Sequence, residues 1–325
     1  MDLQKPYENC RLCPRHCGVN RLEESKTSRS GFCRENHHLR VAHVGPHFGE
    51  EPPITGVKGS GTIFFSGCSL KCSFCQNYQI SRDGIGRDVN IHELLEMAIR
   101  MIHKDQVHNI NLVTPDHFFP HAFELVSLLR QKGYDLPVVY NLSGYQSLSL
   151  LRIAEAYADI YLPDLKYGDP SLAGKLSRCP DYTKVALEAI SEMVRQKGFL
   201  DNGEDNASPA TRGVLVRHLI LPGKIENSSK ALTMLFLEFG PDLPLSLMSQ
   251  YSPVLPLEDE DLNRTLRRGE FDRVFSHALD LGFEHLFVQY PDDGPTNPTN
   301  LSPLLPDFRL PDPFSGKKSC PSSLR

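Results

Sequence analysis

The chain has 325 residues, of which 40 % are hydrophobic and 23 % charged, and its 35 basic and 40 acidic side chains leave a net charge of −5. That balance excludes a mainly disordered state and provides enough apolar mass for one α/β barrel or two average domains. A pI near 6.2 argues against general binding to nucleic acid or to a membrane surface.

No apolar run reaches the roughly 18 residues that span a bilayer. The first ten residues, MDLQKPYENC, lack the basic-then-apolar pattern of a secretion signal. The expected location is the cytoplasm, with neither nucleic acid nor membrane as partner. Seven of the nine cysteines lie before residue 76 in two clusters. In a reducing compartment such clustering points to metal rather than to disulfides. Cys10, Cys13 and Cys17 have the spacing C-x2-C-x3-C, and Cys33 follows. Four thiolates suit tetrahedral zinc or an auxiliary iron–sulfur cluster, and spacing does not separate the two.

His37, His38, His43 and His47 come next. With Glu50 and Glu51, the last two histidines are candidates to line a substrate approach or to act as acid or base, though isolated histidines are more often surface groups. Residues 1–55 lack a βα rhythm. They are expected to form a Cys-rich metal-binding lobe and connector ahead of a core over 56–292. A Pro-rich tail over 293–325 is expected to run extended over the surface.

From residue 61 onward, short β-branched runs alternate with helix-period stretches, the mark of parallel βα units. Strands are predicted at 61–66, 109–114, 137–141, 159–164, 213–221, 245–250 and 285–290. In a helix over 90–104, Ile91, Leu94, Leu95, Ala98 and Ile102 form one apolar stripe, and Asn90 with Glu93 suits a capping box. A second helix over 182–197 buries Val185, Ala189, Met193 and Val194 and stops at Gly198. Residues 200–210 read as a polar surface loop. Six or seven such units give a full or partial (β/α) barrel or a doubly wound sheet. In either, ligands sit at the C-terminal ends of the strands, which gives His108, His117 and His218 some interest, His117 most.

The first strand of the core runs into Gly67-Cys68-Ser69-Leu70-Lys71-Cys72-Ser73-Phe74-Cys75-Gln76-Asn77. Three thiolates spaced C-x3-C-x2-C can hold three corners of a cubane cluster and leave one iron open. A zinc knuckle or three buried thiols is the plainer alternative. Cys179 and Cys320 carry no comparable signal.

Residues 67–77 resemble the signature loop of the radical S-adenosylmethionine superfamily. Over residues 7–290 the chain looks like the branch of pyruvate formate-lyase activating enzyme-like proteins. The segments that carry this are CRLCPRHCGVNR at 10–21, GEEPPITG at 49–56, GSGTIFFSGCSLKCSFCQN at 59–77, NINLVTP at 109–115, YLPDLKY at 161–167, VRHLILPG at 216–223 and LMSQY at 247–251. The resemblance implies an α/β fold with a partial (β/α)6-type barrel and a [4Fe-4S] cluster on Cys68, Cys72 and Cys75. It also implies S-adenosylmethionine on the open iron, cleaved reductively to a 5′-deoxyadenosyl radical that takes hydrogen from a substrate.

Further cofactor contacts are implied for Phe74 and Asn77 in the cluster loop. Asp164 and Lys166 match an Asp-x-Lys pair near the cofactor carboxylate, and Arg217 and Leu219 an arginine-x-apolar pair on the fifth strand. A solvated ion pair for the former and a wet-face position for Arg217 are the plainer readings. Where activating enzymes carry Gly-Gly-Glu, this chain has Thr114-Pro115-Asp116-His117, so Thr114 and Asp116 are the candidate acceptors for the cofactor amino group. Asn141 replaces an acidic residue, and Gln250 and Tyr251 stand where a histidine is usual. The implied task is activation of a glycyl radical enzyme, served by a flavodoxin- or ferredoxin-like electron donor. Radical modification of a small molecule or of another protein is the alternative, and a non-catalytic zinc or iron–sulfur binding module is a third.

Overall fold

Where the sequence alternates β-branched runs with amphipathic helices, the computed structural model folds into parallel βα units; it describes residues 5–23, 31–201, 208–291 and 305–314. The strands are β1 (Leu39–His47), β2 (Ser60–Phe65), β3 (Arg87–Val89), β4 (Ile110–Val113) and β5 (Val138–Leu142), followed by β6 (Ile160–Pro163), β7 (Gly213–Val214), β8 (Val216–Leu219), β9 (Leu245–Met248) and β10 (Leu286–Val288). Seven form one sheet in the order β3-β1-β2-β4-β5-β6-β7, and β8, β9 and β10 form a second. All pairings from β2 onward are parallel. This is an α/β fold with a mostly parallel central sheet.

The strand predicted at 213–221 is divided. β7 pairs with β6, and after Leu215 the chain enters β8, which pairs with β9. The two ladders still touch, because Leu165 N donates to Arg217 O at 2.9 Å. β4, β5 and β6 are buried at every position, as expected of parallel strands covered on both faces. Burying side chains such as Leu112, Val139 and Ile160 completely contributes about 1.5–3 kcal/mol each.

Helix Ile91–Asp105 starts as its sequence predicts. Asn90 Oδ1 accepts from His92 N and Glu93 N at 3.0 Å, and Glu93 Oε2 accepts from Asn90 N at 2.8 Å. Its buried residues are Leu94, Leu95, Ala98 and Met101. Helix Tyr182–Lys197 buries Ala186, Ala189, Ile190 and Met193 and ends at Gly198, whose φ is +73°.

Two expectations are corrected. Residues 39–47 are not part of a separate connector: β1 pairs antiparallel with β2, and β3 pairs antiparallel with β1. The strand was hidden because Gly45, Pro46 and two histidines interrupt its alternation, and Pro46 is tolerated where the strand runs on past β3 as a free edge. The Pro-rich tail, where described, does not run extended. Phe308 and Phe314 pack on Phe64 with ring centroids 5.3 and 5.5 Å away. Gln79 fixes the segment by accepting from Phe308 N at 2.8 Å and donating to Asp307 at 3.0 Å. Cys320 and residues 202–207 of the polar loop lie outside the described residues. No helix among the described residues is long and apolar enough to cross a membrane.

Candidate active site

At the C-terminal ends of the parallel strands a cavity of about 220 Å³ opens. Cys68, Cys72, Cys75, Phe74, Asn77, Thr114, Asn141, Asp164, Lys166, Arg217 and Leu219 all line it. So do His47, Glu50, Glu51, Gln250 and Tyr251. Of the expected cofactor contacts, Asp116 alone does not. It is completely buried behind the cysteine loop, where Oδ2 accepts from Ser69 Oγ at 2.9 Å. Burial pushes its pKa up to about 6. The two-residue step from Thr114 turns Asp116 inward with the short helix Asp116–Phe118, so Thr114 is the one of the pair that faces the cavity.

The cysteine loop starts with a forced glycine. Gly67 has φ +83°, and a Cβ there would lie 2.5 Å from Glu35 Cγ and 3.1 Å from His117 Nε2. Lys71 and Thr114 adopt φ of +53° and +57° without being glycine. For a β-branched residue this is strained backbone, the kind that concentrates at functional sites. Leu70 N donates to Cys68 Sγ at 3.3 Å, and Ser81 Oγ donates to Cys75 Sγ at 3.4 Å. Burial, reinforced by the neighbouring Cys72 and Cys75, pushes the Cys68 thiol up to about 12, and burial also raises Cys75. Buried thiols that raise one another's pKa ionise together only with a cation to compensate them, which is the chemistry of a cluster ligand set.

Opposite the cysteines sits a buried ion network. Arg217 Nε donates to Asp164 Oδ1 at 3.1 Å, Nη1 to Glu50 Oε2 at 3.0 Å and Nη2 to Asn141 Oδ1 at 2.5 Å. Glu50 Oε1 also accepts from Asn111 and Asn141 at 3.1 and 3.2 Å. Lys166 Nζ donates to Asp164 Oδ2. Burial alone would raise the Asp164 pKa, but Lys166 and Arg217 together hold it below the usual carboxylate range. Burial works against the Lys166 charge in turn, and Asp164 with Cys72 holds its pKa above the ordinary value. Neither the solvated pair nor the wet-face position describes these residues: Arg217 and Asp164 side chains are 11 % and 15 % exposed.

Glu51 is 3 % exposed, and its Oε2 has no hydrogen-bond partner; burial raises its pKa. Asn111 Oδ1 beside the network is equally unpartnered. Of the two, Glu51 lines the cavity, and an orphaned buried carboxylate oxygen there fits a bound polar molecule. Tyr182 closes the frame, its hydroxyl 2.7 Å from the carbonyl oxygens of Ser143 and Asp164.

The other histidines do different work. His43 packs beside Phe64 and Phe314, His117 contacts Ser66 O at 2.6 Å, and His108 accepts from Val57 N and Lys58 N. His218 is buried between Leu165 O and Ser228 Oγ at 2.6 and 2.9 Å. Sequence reasoning missed Ser81 and the tail residues Pro306 and Phe314, which border the cavity. Their partners lie far away in the chain, so no spacing rule could find the tail. Ser81 was within reach, four residues past the signature loop.

The donor set therefore fits a cluster on three thiolates beside a polar molecule that carries both charge signs. Residues 62–211 match the Radical SAM superfamily. Over 281 residues the chain is 28 % identical to an uncharacterized protein of Methanocaldococcus jannaschii, covering 84 % of this chain and 75 % of the relative. Among solved structures, Streptococcus suis SuiB bound to S-adenosylmethionine is 12 % identical with a TM-score of 0.44, covering 68 % of this chain and 48 % of that one. Native anSMEcpe with bound AdoMet is 13 % identical with a TM-score of 0.46, covering 66 % and 57 %. The chain spans about half the length of these two proteins. The match to the Radical SAM superfamily over residues 62–211 implies a [4Fe-4S] cluster and S-adenosylmethionine.

Proposed function

We propose that the chain is a radical S-adenosylmethionine enzyme whose cluster is held by Cys68, Cys72 and Cys75 and whose target is a glycine of a glycyl radical enzyme. One observation carries the chemistry: the three thiols and the Asp164–Lys166–Arg217 network open on the same cavity. When bound, the cluster supplies the electron that splits S-adenosylmethionine into methionine and a hydrogen-abstracting fragment.

The chain's own residues bind and orient. Lys166 offers an ammonium to the cofactor carboxylate. Arg217 grips Asp164, which fixes Lys166 before the ligand arrives. Thr114 and Ser143 present hydroxyls to the cofactor amino group. Phe74 and Leu219 give the nucleotide an apolar wall, and Pro306 with Phe314 helps exclude water. The glycine target rests on the resemblance to activating enzymes, with a flavodoxin- or ferredoxin-like protein as donor. A second reading, a small-molecule substrate, is favoured by the tail lying at the cavity, which narrows the way in for a protein loop.

The test is anaerobic reconstitution followed by assay for 5′-deoxyadenosine. Formation by the wild type and loss in Cys72→Ala supports the reading; a fully loaded protein that cleaves none of the cofactor ends it. A glycyl doublet in the electron paramagnetic resonance spectrum of an added glycyl radical enzyme supports activation. Deuterium transfer from a labelled metabolite, with no such doublet, favours the second reading.

A further inference from the structure

We propose that Cys10, Cys13, Cys17 and Cys33 hold a second iron–sulfur cluster, placed to pass single electrons to the cluster on Cys68, Cys72 and Cys75. The relay rests on the function proposed above; the metal assignment does not.

The two cysteine segments touch. Arg15, between Cys13 and Cys17, donates from Nε to Ser69 O at 2.9 Å, and Ser69 follows Cys68. Its two terminal nitrogens donate to Arg178 O at 2.5 Å and Ser177 O at 2.8 Å, so the guanidinium is clamped between the segments. A second junction forms at Gly67, where a Cβ would stand 3.2 Å from Cys33 O. The backbone of Cys33 thus abuts the residue before Cys68. Lys71 lies within electrostatic reach of both Cys33 and Cys68, and Asp116 within reach of both Cys13 and Cys68. The two ligand sets therefore lie on segments in direct contact, through the Arg15–Ser69 hydrogen bond and the Cys33–Gly67 backbone approach.

The four thiols also form one group. Cys10, Cys13 and Cys33 are 7 %, 8 % and 8 % exposed and lie within electrostatic reach of one another. Phe32 N donates to Cys17 Sγ at 3.4 Å, which sets Cys17 beside Cys33. Arg21, 1 % exposed, donates to Cys10 Sγ at 3.7 Å and to the carbonyls of Glu35, His117 and Asn36 at 3.0, 2.7 and 2.7 Å. A buried guanidinium against the sulfurs compensates the negative charge of a thiolate-ligated centre. Cys17 is the half-exposed member and gives an electron donor its approach.

Spacing of the sulfurs favours iron–sulfur over zinc. Tetrahedral zinc with 2.3 Å bonds holds its sulfurs roughly 3.8 Å apart. Among the described residues, no three cysteine sulfurs lie within 4.8 Å of one another; the one triad that does is the exposed Asp242, Glu284 and His285. A cubane, whose iron atoms occupy separate corners, holds its thiolates farther apart. In the relay, the reduced second cluster loses one electron and the oxidised catalytic cluster gains it. A low-potential one-electron donor of the flavodoxin or ferredoxin class then returns the second cluster to its reduced form.

The experiment counts iron, sulfide and zinc in anaerobically reconstituted full chain, beside the double variants Cys13→Ala/Cys33→Ala and Cys68→Ala/Cys72→Ala. Expected are about eight irons in the wild type, about four in each variant, and no zinc. The Cys68/Cys72 variant keeps the assignment testable if the other one fails to fold, because it isolates the second cluster. Reduced wild type should show magnetic coupling between clusters that neither variant shows. With flavodoxin hydroquinone as reductant, the Cys13/Cys33 variant should reduce its catalytic cluster roughly tenfold more slowly or worse, while photoreduced deazaflavin acts on both alike. About four irons with one zinc, or about four irons alone, overturns the second cluster and leaves the proposed function standing. Eight irons with unchanged flavodoxin-driven reduction overturns the relay. No iron on Cys68, Cys72 and Cys75 overturns the proposed function instead.

Discussion

The two cysteine segments are held in place by opposite means. Cys68, Cys72 and Cys75 hang from the end of β2, so a backbone ladder through β4 and β5 fixes them relative to Asn141, Asp164 and Arg217. Cys10, Cys13, Cys17 and Cys33 belong to turns, and what fastens them to the core is a few side chains: Arg15 on the carbonyls of Ser69, Ser177 and Arg178, Arg21 on that of His117, and the Tyr7 hydroxyl on His121 Nδ1. A site on a ladder shares its support among many bonds. A site held by a few side chains depends on each of them, and Arg15 and Arg21 are therefore points at which it can be loosened.

The contrast breaks most visibly at Cys72. Cys72→Ala should abolish cofactor cleavage, read as 5′-deoxyadenosine, while leaving the fold intact, since the ladder does not need the cluster. Next comes the strand-borne ion network. Arg217→Met should cost about 4 kcal/mol in denaturant unfolding, because Glu50 and Asp164 remain buried without their cation.

Acid should weaken the same half. Burial lowers the pKa of His218 to about 4, while an unfolded histidine takes its proton near 6.5. The stability of the neutral folded form is complete above about pH 6.5 and is lost as pH falls toward 4, in total about 3 kcal/mol. His218→Asn, which keeps a donor for Leu165 O, should flatten that part of the stability-against-pH curve.

Two smaller effects sharpen the other side. Arg21→Met should cost about 2.5 kcal/mol by leaving buried carbonyls unpaired, and the loss should appear as local exposure of residues 5–23 and 31–38 in hydrogen exchange. Arg15→Ala is expected to cost about 1 kcal/mol, again confined to the first segment. Equal exposure across β4 to β6 in either variant would mean that the first segment is part of the sheet's cooperative unit.

Local rules made much of this molecule legible. The capping box at Asn90, the helix stop at Gly198 and the parallel strands other than the divided one at 213–221 follow from periodicity and from end signals that act within one element. The Cys68–Cys75 loop was readable because its three thiols are close in sequence. Arg15 and Arg21 were passed over although they stand among the cysteines, since their partners are carbonyls of residues as distant as Arg178 and His117. Asp116 is expected at the cofactor because it stands where activating enzymes carry Gly-Gly-Glu, and one turn of 3-10 helix sends it the other way.

Taken alone, the sequence determined the α/β class, the parallel βα rhythm and the close spacing of the Cys68, Cys72 and Cys75 thiols. Each of these is set by backbone propensity and by spacing over a few residues. Tertiary structure alone decided that Glu50, Asn141, Asp164 and Arg217 share one buried network, that the tail borders the cavity, and that the two cysteine segments meet. Those facts depend on which distant side chains must satisfy each other once water is excluded, and no local pattern encodes that choice.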